Sequence, residues 1–185
     1  MIDAPEIIDD LSNVSPMAVT GTGWALISDR VMGGISAGTM RREVVEGREA
    51  IRMQGDVSLE NNGGFLQVAL DLGDAGGEVD ARNWSGIKLD VFGNDQVYNL
   101  HLRTSDIHRP WESYRQSFCA PSRWTTVSLP FSAFVPHRTE RPLNTARLRR
   151  IGLVAIGREF EADVSIADIR FYTDAGEVEP TSSLA

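Results

Sequence analysis

The sequence predicts an all-β sandwich or jelly roll, and two observations support that fold class. First, short segments carry apolar residues at every second position, as Ile87, Leu89 and Val91 do. This period of two is typical of a strand with one face in a core. Second, Gly, Pro, Asn or Asp stand in nearly every gap between such segments, where turns need them. Many short strands with frequent turns indicate a sandwich or jelly roll.

Ten segments have the strand pattern, and each is bounded by turn-forming residues. In chain order they are Trp24–Asp29, Thr39–Val45, Ala50–Val57, Phe65–Leu72, Ile87–Phe92, Tyr98–Arg103, Ser113–Cys119, Trp124–Leu129, Arg150–Ile156 and Asp163–Tyr172. None of the connecting segments has the pattern of an amphipathic helix.

Some segments carry a more detailed signal. Ile151–Gly157 is apolar at successive positions, which predicts a central strand covered on both faces. The apolar positions change parity within the last strand, which predicts a bulge near Ala167 or Asp168. Short turns are predicted at Pro5–Leu11 and Phe131–Phe134.

The length of 185 residues predicts one domain. We expect the sandwich to span residues 20–172, after an N-terminal lead-in over 1–19. The acidic segment 173–185 ends in small polar residues and is expected to form a flexible tail.

Composition excludes several classes of protein. The net charge of −8 argues against nucleic-acid binding, which needs an excess of Lys and Arg. The single cysteine, Cys119, excludes a disulfide framework and a Cys-rich zinc site. No signal peptide, Arg-rich transit sequence or membrane-length apolar run is found, so we expect a cytoplasmic protein without direct membrane insertion. All but one of the 18 basic residues are Arg, with Lys88 the exception, and we attribute that bias to base composition.

Cofactor and catalytic motifs are missing as well. The three histidines lack metal-ligand spacing, so we expect no metal and no cofactor. Asp and Asn residues in glycine-rich loops leave a structural calcium ion open, although no DxDxDG loop is found. No nucleophile is paired with a base at an interpretable spacing, and the sequence therefore predicts a non-catalytic protein. A buried acid with a raised pKa, Asp29 for example, would reopen the question of catalysis.

Two loops with paired glycines are the most specific motifs. Paired glycines allow positive φ and a close approach of the backbone, which suits either a tight turn or a ligand held by main-chain N–H groups. Both interpretations stay open. The candidate binding residues here are Asp29, Met32, Gly33, Gly34 and Ser36 in the first loop and Asn61, Asn62, Gly63 and Gly64 in the second.

A polar sheet face is the other candidate site. Asn99, His101 and Arg103 alternate with core residues and therefore share one side of a strand. Gln67, and Arg115 or Gln116, are placed to extend that face, with Trp111 in a nearby loop. Such a face rimmed by an aromatic ring suits a sugar, although a plain solvated outer face has the same pattern.

The loop Asp29–Ser36, with Trp24 before it, resembles the Asp-x-x-Met-Gly-Gly-x-Ser signature of the complex I intermediate-associated protein 30 family. Gly55–Phe65 matches that family's Gly-x-Leu/Val-Ser-Leu-x-x-Asn-Gly-Gly-Phe segment. The resemblance extends over roughly residues 20–172, through segments at Trp84–Ile87, Tyr114–Phe118, Trp124–Phe131, Arg150–Leu153 and Val164–Tyr172.

This resemblance implies a galactose-binding-domain-like jelly roll. It also implies a role like that of the mitochondrial members, which are assembly factors that act on intermediates of respiratory complex I. Without a transit sequence the chain resembles a stand-alone bacterial member. The resemblance favours a non-catalytic domain that docks a protein partner, such as an intermediate of complex I. A lectin-like module that binds a sugar or another small ligand through Asn99, His101, Arg103, Trp111 and Arg115 is the alternative.

Overall fold

The computed structural model describes residues 2–14 and 17–174. Within them the chain forms fourteen strands, joined by turns and short 3-10 segments. The strands are β1 (Ile2–Asp3), β2 (Ile7–Asp9), β3 (Ala25–Ser28), β4 (Ala37–Val45), β5 (Arg48–Val57), β6 (Phe65–Asp71), β7 (Val79–Asp80), β8 (Gly86–Phe92), β9 (Gln96–Thr104), β10 (Ser113–Ala120), β11 (Thr125–Pro130), β12 (Val135–His137), β13 (Leu148–Ile156) and β14 (Phe160–Tyr172).

Two sheets share these strands. The eight-stranded sheet runs in the order β1-β7-β13-β9-β10-β12, and β6 pairs with β13 and carries β3 on its other edge. The six-stranded sheet runs β11-β8-β14-β5-β4, with β2 also paired to β14. Strand β14 follows β13 directly in sequence but lies in the opposite sheet. Neighbours in a sheet are therefore often distant in sequence, as in a jelly roll.

The core lies between the two sheets and follows the alternation seen in the sequence. Leu66, Val68 and Leu70 of β6 point inward and are fully buried, while their neighbours point outward. In the other sheet Ile87 and Leu89 do the same. The all-β prediction is confirmed, because period-two segments can bury their apolar side only between two sheets.

Two detailed expectations are confirmed as well. Strand β13 pairs with β6 on one edge and β9 on the other, and its residues 151–155 are buried on both faces. The register of β14 against β8 shifts between Ile166 and Asp168, so Ala167 is the bulged residue. The bulge explains the change of apolar parity, because one extra residue turns all later side chains to the opposite face.

The N-terminal segment differs from the sequence expectation. A turn is predicted at Pro5–Leu11, but Ile7–Asp9 forms strand β2 and pairs with Ile169 and Arg170 of β14. Strand β14 is longer than its partner β5, so its second half has an open edge that β2 occupies. Ile8 is fully buried there. This pairing spans about 160 residues of sequence, which no local pattern can reveal.

Most of the predicted tail lies outside the described residues. Thr173 and Asp174 follow β14 directly, and the Asp174 N–H donates to Ser85 Oγ. In the described part of the chain no helix has the length and apolar character needed to cross a bilayer.

Candidate functional site

The first double-glycine loop begins with a 3-10 turn over Asp29–Met32. Ser28 caps the turn by accepting a hydrogen bond from the Arg30 N–H, and Gly33 ends it in the left-handed conformation with φ of 87°. A residue with a side chain is strained at that φ. The pattern of Ser, Asp and Gly therefore specifies this turn locally.

The buried carboxylate of Asp29 joins the two double-glycine loops. Oδ1 accepts a hydrogen bond from the Ser36 N–H at 3.0 Å. Oδ2 accepts from Ser36 Oγ at 2.5 Å and from the N–H groups of Gly64 and Phe65 at 2.6 and 3.3 Å. The Ser36 hydroxyl in turn accepts from the Ser58 N–H at 2.9 Å. Both carboxylate oxygens are thus used within the protein.

Two of the glycines are needed because the carboxyl group lies so close to them. A Cβ atom at Gly34 would lie 2.4 Å from Asp29 Cγ, and one at Gly63 would lie 2.4 Å from Asp29 Oδ2. Such distances are far below van der Waals contact. The absence of side chains at Gly34 and Gly63 therefore leaves room for the carboxylate, and the carboxylate holds the two loops together by hydrogen bonds.

The ionised form of Asp29 is favoured in spite of its burial. Burial raises the pKa of Asp29, but the hydrogen bonds from Ser36, Gly64 and Phe65 outweigh burial and bring the pKa below its ordinary value. A catalytic acid would need the opposite shift. Asp29 is thus an ionised group whose oxygens are engaged by internal donors.

Four of the side chains that these loops expose are apolar, beside the polar Arg30, Glu60 and Asn61. Val31, Met32, Ile35 and Leu59 are 44–75% exposed. Ile35 is next to Ser36 in sequence and Leu59 is next to Ser58. The hydrogen bond between Ser36 and Ser58 therefore holds the two loops that carry Ile35 and Leu59 together. The sequence singles out Met32 alone among the four. The others were missed because they look like ordinary strand or loop residues.

The second loop forms a 3-10 turn over Glu60–Asn62, in which Asn61 is exposed and has a φ of 56°. Asparagine is one of the few residues that tolerate this conformation. The side chain of Asn62 lies outside the described part of the structure. The Gly157 N–H donates to the Gly64 carbonyl, which brings the β13–β14 turn to the same end. We call this region, 28–36 with 58–64, the double-glycine end.

The polar sheet face lies on the outer side of the eight-stranded sheet. Asn99, His101 and Arg103 share that side of β9, as expected. The register places Arg115 opposite His101, whereas Gln116 pairs with buried Leu100 and points to the core side. Arg115, and not Gln116, therefore extends the face. Gln67 also belongs to it, because Val154 pairs with both Gln67 and Asn99.

His101 lies near the middle of this face with an unsatisfied atom. Its Nε2 is buried and has no hydrogen-bond partner among the described residues. Burial, together with the positive charge of Arg115 and His137, lowers the pKa of His101 to about 3. The ring is neutral at physiological pH and offers one ring nitrogen that the fold does not use.

Arg103 positions the loop that carries Trp111. Its Nη1 lies 2.8–3.1 Å from the carbonyl oxygens of Arg109, Pro110 and Glu112. Trp111 is 48% exposed, and the Arg109 guanidinium lies over its ring at 5.9 Å from the centroid. Arg103 is thus partly engaged in holding this loop, and burial lowers its pKa, with further contributions from Arg150 and Arg149.

Sequence reasoning missed the groove beside Trp111. It is open, has a volume of about 630 Å³, and is lined by Arg109, Glu112, Arg138, Thr139, Glu140 and Arg141. Residues 138–141 follow β12 in an irregular segment without motif or period, so no sequence signal marks them. The Tyr114 hydroxyl donates to the Pro142 carbonyl and ties this segment to β10.

The double-glycine end and the Arg103 end of the polar sheet face lie at opposite ends of the sheet. The double-glycine end adjoins Phe65 at the start of β6. At the end of β6, Asp71 pairs with Arg150 of β13, and Arg150 pairs in turn with Arg103 of β9. Six residues of extended strand separate the two levels by about 20 Å. They therefore form two surfaces and not one cleft. Within residues 2–14 and 17–174, no three His, Cys, Asp or Glu side chains gather as a metal site would require.

The chain is thus a jelly roll with two outward-facing candidate surfaces. The sequence model of the complex I intermediate-associated protein 30 family matches residues 15–166, and the chain belongs to that family. The match includes both double-glycine loops and most of the fold. No curated protein sequence is significantly similar to the chain.

Solved structures that share the fold include two carbohydrate-binding modules of Clostridium thermocellum cellulosomal cellulases. The family 11 module of Lic26A-Cel5E has a TM-score of 0.71 at 14% identity, with 94% of this chain and 96% of that chain covered. The same family's module in complex with a β-1,3-1,4-mixed-linked tetrasaccharide has a TM-score of 0.69 at 14% identity, covering 91% and 95%. A family 30 module has a TM-score of 0.61 at 10% identity, covering 94% and 95%. These likenesses establish the galactose-binding-like jelly roll.

Proposed function

We propose that this chain is a non-catalytic docking domain that binds a protein partner through the double-glycine end. The observation that carries the proposal is the combination of a buried, fully used polar tie at Asp29 with exposed apolar side chains outside it. A rigid loop pair loses little conformational entropy on binding, and desolvation of apolar side chains supplies affinity.

Family membership supports a partner among the intermediates of respiratory complex I. The name of the family describes association with such intermediates, and both loops that define the family occur in this chain. The exposed Val31, Met32, Ile35 and Leu59 suit the apolar centre of a protein interface, where Met and aliphatic groups are favoured over charges.

Co-purification tests this proposal. Tagged protein is expressed in its source organism, and bound complex I subunits are measured for wild type and for Met32→Glu with Ile35→Glu. We expect complex I fragments with wild type and their loss with the double variant. The control is Val44→Glu, because Val44 is an exposed apolar residue near the far end of β4, away from the double-glycine end. An unchanged level of assembled complex I after deletion of the gene would contradict the assembly role.

A second candidate function is binding of a sugar at the polar sheet face, and a specific observation favours it. His101 Nε2 is buried without a partner between side chains with hydrogen-bonding groups, Asn99 and Arg115 among them. The atom is closed to solvent, so a ligand hydroxyl would satisfy it once the neighbouring side chains move aside. Calorimetric titration of the protein with neutral and acidic oligosaccharides tests this candidate, with His101→Phe as the variant that keeps the ring but removes the nitrogen.

A further inference from the structure

The arginines of this acidic protein divide into two groups. Seven of them form ion pairs with Asp or Glu, namely Arg42, Arg48, Arg52, Arg82, Arg147, Arg150 and Arg170. Several others do not, and four of these lie close together around β10 and the segment after β12. They are Arg109, Arg115, Arg138 and Arg141, and no ion pair joins them to a described carboxylate.

Two of these arginines, Arg115 and Arg138, are neighbours of two histidines of the sheet, His101 and His137. Arg115 faces His101 across β9 and β10, and Ser113 of the same strand faces His137 of β12. Arg109, Arg138 and Arg141 line the groove of about 630 Å³ that adjoins this corner. We call this set of four arginines and two histidines the cationic edge.

The cationic edge has an excess of positive charge, because its four arginines face only the two acids of the groove, Glu112 and Glu140. Burial lowers the pKa of His137, and Arg115 and Arg138 lower it further. Arg115 acts on His101 in the same direction. Of the two acids in the groove, Glu112 already accepts from the Arg109 N–H at 3.0 Å. The four arginines outnumber these acids, and the positive excess attracts an anionic ligand.

Neutral groups next to the arginines indicate what kind of anion fits. Asn99 and Ser117 pair across β9 and β10, and His101 Nε2 has no partner. Trp111, which lies between the groove residues Arg109 and Glu112 in sequence, is 48% exposed. Amide, hydroxyl and imidazole groups hydrogen-bond to hydroxyls, an exposed indole stacks on a pyranose ring, and guanidinium forks pair with carboxylates.

An acidic peptide fits less well. A peptide that bound by adding a strand to the sheet would need an open edge, and here that edge is β12. Strand β12 is three residues long, and its central residue is Pro136, which has no N–H to donate. The side-chain chemistry therefore favours a hydroxyl-rich anion over an extended acidic chain.

We propose that the cationic edge binds an oligosaccharide that carries carboxylates, of the uronate class. This inference rests on the second candidate function, sugar binding at the polar sheet face. It adds that the ligand is negatively charged and that arginines bind its charged groups. Arg115 and Arg138 pair with the carboxylates, and Asn99, His101 and Trp111 contact the neutral part of the sugar.

Calorimetric titration of the full chain at low salt tests the proposal with three probes. They are tetragalacturonate, neutral galactotetraose of equal length, and a peptide of eight glutamates. We expect tetragalacturonate to bind at least about tenfold more tightly than the other two, since each charge-assisted pair adds about that factor. Raising the salt concentration should weaken this binding, because exposed ion pairs are screened.

Matched variants locate the site. Arg115→Gln combined with Arg138→Gln should weaken tetragalacturonate about tenfold or more, and Arg141→Gln is a second variant for the groove. Arg41→Gln is the control, because Arg41 is exposed on β4 in the other sheet and forms no ion pair within the described residues. A thermal melt of each variant verifies folding.

The outcomes separate this inference from the function it rests on. Equal binding of the charged and neutral tetrasaccharides would overturn the uronate inference and leave sugar binding intact. Failure of both sugars would overturn both. Equal or tighter binding of the glutamate peptide, or an equal loss with Arg41→Gln, would overturn the inference as well.

Discussion

The double-glycine end and the cationic edge differ in whether their polar groups have partners within the protein. At the double-glycine end the Asp29 carboxylate is buried and both of its oxygens accept hydrogen bonds from the chain itself. At the cationic edge, arginines lack carboxylate partners and His101 Nε2 has no partner in the described structure. Polar groups that satisfy one another maintain a fold, whereas groups left unsatisfied are available to a ligand. The two ends also differ in what they expose, apolar side chains at one and guanidinium groups at the other.

The largest effect is expected from removal of the tie at the double-glycine end. Asp29→Ala leaves the buried donors of Ser36, Gly64 and Phe65 without an acceptor. We expect a loss of roughly 3–5 kcal/mol in the free energy of unfolding, measured by urea denaturation. Asp29→Asn keeps one acceptor oxygen and should lose less. A loss below about 1 kcal/mol for Asp29→Ala would show that the tie is unimportant.

The Asp29 carboxylate should also make the free energy of unfolding depend on pH. The pKa of Asp29 is lower in the folded protein than its ordinary value of 3.8, because of its hydrogen bonds. Its contribution is therefore complete above pH 3.8 and is lost as pH falls through the lowered folded pKa. The decrease in stability below that pH should be smaller in Asp29→Asn than in wild type, as measured by denaturation at a series of pH values. Identical pH profiles would contradict this role of Asp29.

Glycine substitutions separate crowding from backbone strain. Gly34→Ala places a Cβ atom 2.4 Å from Asp29 Cγ, whereas at Gly33 a Cβ atom meets nothing within 4 Å but is held at a φ of 87°. We expect Gly34→Ala to cost about 2–3 kcal/mol, which is typical of overpacking. Gly33→Ala should cost about 1 kcal/mol, the strain of the left-handed region. Both costs are measured by thermal unfolding. Equal losses of stability in the two variants would mean that the Asp29 carboxyl group moves aside at little cost.

A smaller effect is expected where the fold uses a residue of the polar face. Arg103→Ala removes the donor to three carbonyl oxygens of the loop 109–112. We expect a loss of about 1–2 kcal/mol in unfolding free energy and a shift in Trp111 fluorescence as the loop loosens. Fluorescence that is unchanged in Arg103→Ala would indicate that Arg103 does not position Trp111. The control is Arg123→Ala, at an exposed arginine that forms no ion pair with any described residue.

The smallest effect on stability is expected at the cationic edge itself. Arg115→Gln removes a charge that lowers the pKa of both His101 and His137 and has no described counterion. We expect a change within about 0.5 kcal/mol at neutral pH, because both histidines are uncharged there and no described carboxylate loses a partner. A clear loss of stability in chemical denaturation would mean that Arg115 supports the fold and is not available to a ligand.

The sequence predicts much of the fold because period-two patterns and turn residues are local signals. It predicts the parity change at Ala167 for the same reason. It singles out both double-glycine loops, yet it does not reveal that Asp29 joins them, because Gly64 is 35 residues away in sequence. Arg115 and Gln116 could be separated only by the register of β10 against β9. Arg138 and Arg141 have no pattern at all, and only the path of the chain after β12 brings them beside Arg109.

Crosslinking at the double-glycine end tests the central claim, docking of a protein partner there, most directly. A photo-reactive amino acid is placed at Met32 or, as control, at Val44, both of which are exposed, and cells of the source organism are irradiated. We expect a discrete adduct with a complex I subunit from position 32 and none from position 44. Adducts from both positions alike, or none from position 32 while the protein is folded and expressed, would contradict it.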